Sequence, residues 1–138
     1  MKARNILAAL TLSSISIFSI AQCDAVANEC ESHITTDYIS DGQNYWALLY
    51  DDQVAEFNVT LFGGSTYRIA ACSGQGDGNL IFSMYDQDKN LLFTNRDHVN
   101  APYWDFVLDS SIDCTIEAQL DLNKQESGCA VIQIGFKQ

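Results

Sequence analysis

The chain has 138 residues, 47% of them hydrophobic, with one Pro, eight Gly, five Cys and a formal net charge of −11. That length supplies one domain with a single core, and a surface this acidic repels phosphates, so nucleic acid and anionic membrane are excluded as natural partners. Cations and basic proteins are better candidates, and the acidity is first of all what keeps an exported protein soluble and monomeric.

At the N-terminus, Lys2 and Arg4 precede an uncharged, mostly apolar stretch from Ile6 to Ala21, the layout of a secretory signal. It is shorter than the roughly 20 apolar residues that span a bilayer, and no later segment approaches that length, so no transmembrane segment is expected. Ala25-Val26-Ala27 fits an A-x-A cleavage site, giving a signal over 1–27, while Ile20-Ala21-Gln22-Cys23 resembles a lipoprotein box that leaves Cys23 acylated on an outer membrane. Gln22 counts against lipidation, because the residue before a lipidated cysteine is normally small. The expected location is secreted or periplasmic. Cleavage after Ala27 leaves five Lys or Arg against seventeen Asp or Glu and four cysteines, Cys30, Cys72, Cys114 and Cys129. In an exported chain that even number favours two disulfides, in one of three connectivities.

Residues 28–45 are polar and without period, and read as an irregular arm ahead of a domain over 46–138. Trp46 to Tyr50 reads as a strand. In Val54 to Phe62, Ala55, Phe57, Val59 and Leu61 alternate with polar residues, which puts them on one face of a strand. Gly63-Gly64 turns the chain, and Tyr67, Ile69 and Ala71 line the next strand, a spacing that predicts a hairpin. Leu80, Phe82 and Met84 form another face, and Leu91 to Phe93 a short partner beyond an Asp86–Asn90 turn. Trp104, Phe106 and Leu108, then Ile116, Ala118 and Leu120, then Ala130, Ile132, Ile134 and Phe136 complete the series. No segment carries a convincing helical period. The fold class predicted is all-β, an antiparallel sandwich of about seven or eight strands with two disulfides.

The run "AEFNVTLFGGSTYRIAACSGQGDGNLIFSMYDQDKNLLF", followed by "WDFVLDSSIDCTIEAQL" and "GCAVIQIGF", resembles the bacterial pre-peptidase C-terminal domain over roughly Trp46 to Phe136. It also resembles small secreted bacterial proteins of unknown function on the same scaffold. The resemblance implies a jelly-roll-like sandwich serving as an accessory adhesion or interaction module, with calcium bound in some relatives. No peptidase precedes the domain here. Strand ends leave the cysteine pairing open, since Cys72 closes one strand and both Cys114 and Cys129 open others. The resemblance implies Cys72–Cys129, which leaves Cys30 and Cys114 to tie down the arm.

Asp86, Asp88 and Asn90 have the one-three-five spacing of an EF-hand loop, but the sixth position is Leu91 and not glycine, the twelfth is Asp97 and not Glu, and the flanks are strands. "GQGDGNL" echoes a calcium-binding repeat that works only in tandem. Turn chemistry accounts for both clusters; a calcium site would combine Asp77 or Asn79 with Asp51, Asp52, Asp86 or Asp88. Asp97 adjoins His98, but no nucleophile elbow or activated cysteine accompanies them, so no catalytic residue is assigned. Trp46, Tyr103 and Trp104 suggest a sugar-stacking platform, although Trp104 shares its alternation with core residues, and Tyr45 and Tyr50 are further candidate surface aromatics. The function expected is that of an exported, monomeric, non-enzymatic module binding an extracellular or periplasmic protein or glycan, without a cofactor; the alternative is a calcium-dependent carbohydrate- or collagen-binding domain.

Overall fold

The computed structural model describes residues 17–138, with side chains from residue 21 onward; the basic residues and most of the apolar stretch of the N-terminus lie outside it. The elements in chain order are α1 (Ile17–Cys30), a 3-10 turn (Glu31–His33), β1 (Ile39–Ser40), β2 (Tyr45–Tyr50), β3 (Val54–Leu61), β4 (Ser65–Cys72), β5 (Leu80–Asp86), β6 (Leu91–Thr94), a second 3-10 turn (Asn95–His98), β7 (Tyr103–Leu108), β8 (Ile112–Leu120) and β9 (Ser127–Lys137). The strands form two antiparallel sheets. One runs β1-β9-β4-β7 with β2 also paired to β9, and the other runs β3-β8-β5-β6. The all-β sandwich is therefore present, with nine strands because the two-residue β1 extends the edge of β9.

Period two decides which side chains meet between the sheets. Leu61, Ile69, Leu80, Phe82, Ile116, Ala118, Ile132 and Ile134 are buried together there, with Trp104, Phe106 and Phe136 packed on them. The alternation breaks down in β4 and β9, where Ala70, Cys72, Cys129, Val131 and Gln133 are buried as well. The cause is α1, which lies across the outer face of these two strands. Its Cys23, Val26, Ala27 and Cys30 form a second apolar cluster with Ala70, Cys72, Cys129 and Val131. Gly74, at φ +84, admits the helix: a Cβ there would sit 2.6 Å from Val26 Cγ2.

Three expectations are corrected. No helix was foreseen, yet α1 spans the predicted cleavage site and belongs to the fold. Its residues were read as leader and arm, and neither reading asks for a helix. The two-glycine turn does not close a hairpin: β3 pairs with β8 and β4 with β9 and β7, so Gly63-Gly64 carries the chain from one sheet to the other. Only β5–β6 is a hairpin of consecutive paired strands among those described.

The third correction is the cystine pairing. Cys23 bonds Cys129 and Cys30 bonds Cys72, with Cα–Cα separations of 5.4 and 5.8 Å, and Cys114 is a buried free thiol. Cys72 lies opposite Val131 in the ladder, so Cys129 is its diagonal neighbour, at the ~7–8 Å that such positions keep and beyond ordinary bridging range. Cys114 points into the core from β8, whereas Cys30 lies outside the opposite sheet. A full layer separates them.

Candidate ligand cleft between the sheets

Where β1 gives way to β2 along the edge of β9, Asp41 N still donates to Ile134 O at 2.9 Å, the chain over Gly42 to Asn44 leaves the ladder, and the space between the sheets opens to solvent. The opening is a cleft of about 540 Å³. Leu61 and Val59 of β3, Tyr67 of β4 and Ile134 and Phe136 of β9 supply its apolar wall, Phe62 stands at the rim 63% exposed, and Asp41, Gln43, Asn58, Thr60 and Ser65 supply polar groups. The volume falls in the range of small-molecule sites, and an apolar floor with a few placed polar atoms is their usual makeup.

Several contacts fix this lining. Tyr45 donates its phenolic hydrogen to Asp41 Oδ2 at 3.1 Å while its ring packs on Phe57, centroids 5.7 Å apart. Burial, then the neighbouring Asp41 carboxylate, pushes the Tyr45 phenol up to about 12, so it stays a neutral donor at any ordinary pH. The Phe62 backbone N–H donates to Tyr67 Oη at 3.0 Å, which holds the rim residue beside the wall. A ligand with an apolar body and a hydroxyl or amine would find both a greasy floor and the acceptor oxygens of Asp41.

The residues singled out for calcium are scattered. Asp51 and Asp52 sit in the β2–β3 turn, and Asp77 and Asn79 in the β4–β5 loop at the same end of the sandwich; Asp86 and Asp88 occupy the β5–β6 turn at the other end. Asp86 accepts from both the backbone and the side-chain nitrogens of Asn90. Asp77 Oδ1 lies 3.0 Å from His33 Nε2, and Asn79 is buried, its amide donating to Gln75 O and Gln125 Oε1. Among the described residues no three His, Cys, Asp or Glu side chains converge on one point. The carboxylates singled out are thus divided between two ends of the sandwich and are not brought together as one set of the six to eight oxygens that calcium takes.

The aromatic platform is likewise split. Trp46 is on β2 and Tyr103 on β7, at opposite edges of one sheet with β9 and β4 between them, roughly 14 Å apart at the usual strand spacing. Tyr103 is engaged instead as one face of a cation–π sandwich: the Arg68 guanidinium lies 4.2 Å from its ring and 4.6 Å from that of Tyr38. Arg68 also donates two bonds to Asp105, at 2.7 and 2.9 Å. Trp104 packs on the core. Tyr50 is exposed and borders a second hollow, of about 340 Å³, between α1 and the loops around Ser73 and Gln125. His98 is exposed and stacks on Trp104 and Phe93, centroids 4.1 and 5.4 Å away, the three rings forming one aromatic cluster, with Phe93 and Trp104 5.3 Å apart.

Sequence reasoning missed the cleft. Tyr45 was marked only as a surface aromatic, and Asp41, Phe62 and Tyr67 not as site residues. The one available signal was the Asp41-Gly42 pair so close before a strand, since it interrupts pairing at a sheet edge; Gly42 has φ +79. No family profile matches the chain, and no curated protein matches it.

Proposed function

We propose that this protein is an exported, non-enzymatic binding module that seats an apolar group of an extracellular or periplasmic protein or glycan in the cleft between its sheets. The observation that carries the reading is the juxtaposition of Phe62, Tyr67 and Phe136 with the Asp41–Tyr45 pair around one open cavity. Placement of the cleft on a rigid scaffold supports it: its walls are strands, and only Phe62 and the Asp41 to Asn44 stretch come from connections. The resemblance to pre-peptidase C-terminal domains, which serve as accessory modules, points the same way. Two cystines fit an oxidising location, and no helix among the described residues is long and apolar enough to cross a membrane.

The test is a glycan and matrix-protein array probed with wild type, Phe62→Ser and Asp41→Asn, with and without chelator. Phe62 is exposed, and half-buried Asp41 is exchanged for an isostere that keeps an acceptor oxygen for Tyr45, so both variants should retain the wild-type circular dichroism spectrum. Ligands retained by wild type should bind at least about tenfold more weakly to Phe62→Ser, a loss of about 1.4 kcal/mol, and chelator should have no effect. Equal binding by all three proteins would move the site away from this cleft, and chelator-sensitive binding would favour the calcium-dependent alternative.

A further inference from the structure

We infer that the export signal ends at Ala21, so that the mature protein begins at Gln22 and keeps Cys23 as half of a cystine. The inference rests on reading the N-terminus as a cleavable signal, and its support is what residues 23 to 30 do in the fold. Cys23 is 1% exposed and bonded to Cys129. Val26 and Ala27 are buried against the outer face of β4 and β9. The Ala27 carbonyl accepts a 2.8 Å bond from Gln133 Nε2, inside the protein. Cleavage after Ala27 would discard the first two turns of this packing, leave Cys129 without its partner, and strip Val131 and Gln133 of their cover. Segments discarded at export have no reason to be complementary to the mature surface.

The lipoprotein alternative fails on valence. Lipidation transfers a diacylglyceryl group to the Cys23 sulfur, forming a thioether as the thiol proton is lost, and a sulfur so bonded cannot also join Cys129. What remains is a site upstream of Cys23. Ser19-Ile20-Ala21 places small residues at the two positions a signal peptidase reads, immediately after the apolar stretch, and Ala21 and Gln22 are the exposed residues preceding the buried Cys23. Water adds across the Ala21–Gln22 peptide bond, leaving a carboxylate on Ala21 and an amine on Gln22. Each cystine then forms as two thiols give up two protons and two electrons to a protein disulfide of the export compartment, which is reduced to a dithiol. Retaining Cys23 makes the mature cysteine count odd, and Cys114 is the remainder: it sits in the core, where burial and then Asp113 push its thiol up to about 11 and hold it in the unreactive form.

The experiment is intact mass, N-terminal sequencing and non-reducing peptide mapping of the full chain expressed with its own leader and recovered after export. The expected protein starts at Gln22, or at its cyclised form after loss of ammonia, and carries Cys23–Cys129, Cys30–Cys72 and one alkylatable thiol only after unfolding. Ala21→Asp should accumulate precursor, whereas Ala25→Asp, at an exposed position, should leave the N-terminus unchanged. A chain beginning at Asn28, a diacylglycerol on Cys23, or any start other than Gln22 overturns the inference.

Discussion

Val99 is held at φ +56, a left-handed conformation in which its branched Cβ crowds the backbone, and its side chain is 92% exposed, so no packing repays the strain. The loop tolerates it because Asn95 beneath is fully buried and anchored: it accepts from Phe82 N and donates to Leu80 O and Ala101 O. Val99→Asn should therefore raise stability by about 1 kcal/mol, read as a higher urea midpoint at unchanged slope. Asp105 gives a pH signature. The hydrogen bonds from Arg68 lower its pKa despite an opposing contribution from burial. A carboxyl depressed in the folded state stabilises fully above the unfolded value of about 3.9 and loses that contribution as pH falls through the lower folded value. Asp105→Asn gives up the ion pair at every pH, so its urea midpoint should fall less steeply than that of wild type between about pH 4 and about pH 2. Solvent reaches this pair, so the difference is small.

Among the elements, α1 is the one fastened covalently, once to β9 and once to β4. Removing one fastening with Cys23→Ala and Cys129→Ala together should cost about 2–5 kcal/mol in chemical denaturation while the far-UV strand signal persists, because both bonds lie outside the inter-sheet core. Strands were the legible part of the sequence. From Trp46 onward every predicted segment is a strand, because alternation of apolar and polar residues is a local property written into Ala55, Phe57, Val59 and Leu61 and their counterparts. Partnership was not legible, since a glycine pair such as Gly63-Gly64 serves a hairpin and a crossing between layers equally well. The helix was hidden by a stronger competing pattern: Ala25-Val26-Ala27 satisfies a peptidase as well as it satisfies the groove over Val131. The cleft escaped because a cavity is formed by what two distant edges fail to cover.

At the scale of the whole molecule, the links that hold sequence-distant parts together converge on β9, which pairs with β1, β2 and β4 and carries Cys129. A chain ending at Glu126 has every other strand but no centre for the five-stranded sheet. It should lack cooperative unfolding and the wild-type strand signal in circular dichroism; a truncated protein that still melts in one sharp transition would show that the four-stranded sheet with β4 and β7 suffices. Such a topology, dominated by long-range pairings, belongs to the slower-folding class of small domains.

If the chain is exported as proposed, threaded through a channel N-terminus first, that arrangement acts as a timer. The ribbon around which one whole layer assembles emerges last, together with the sulfur that Cys23 awaits. On that reading the five-stranded layer locks only when nearly all of the chain has reached the far side.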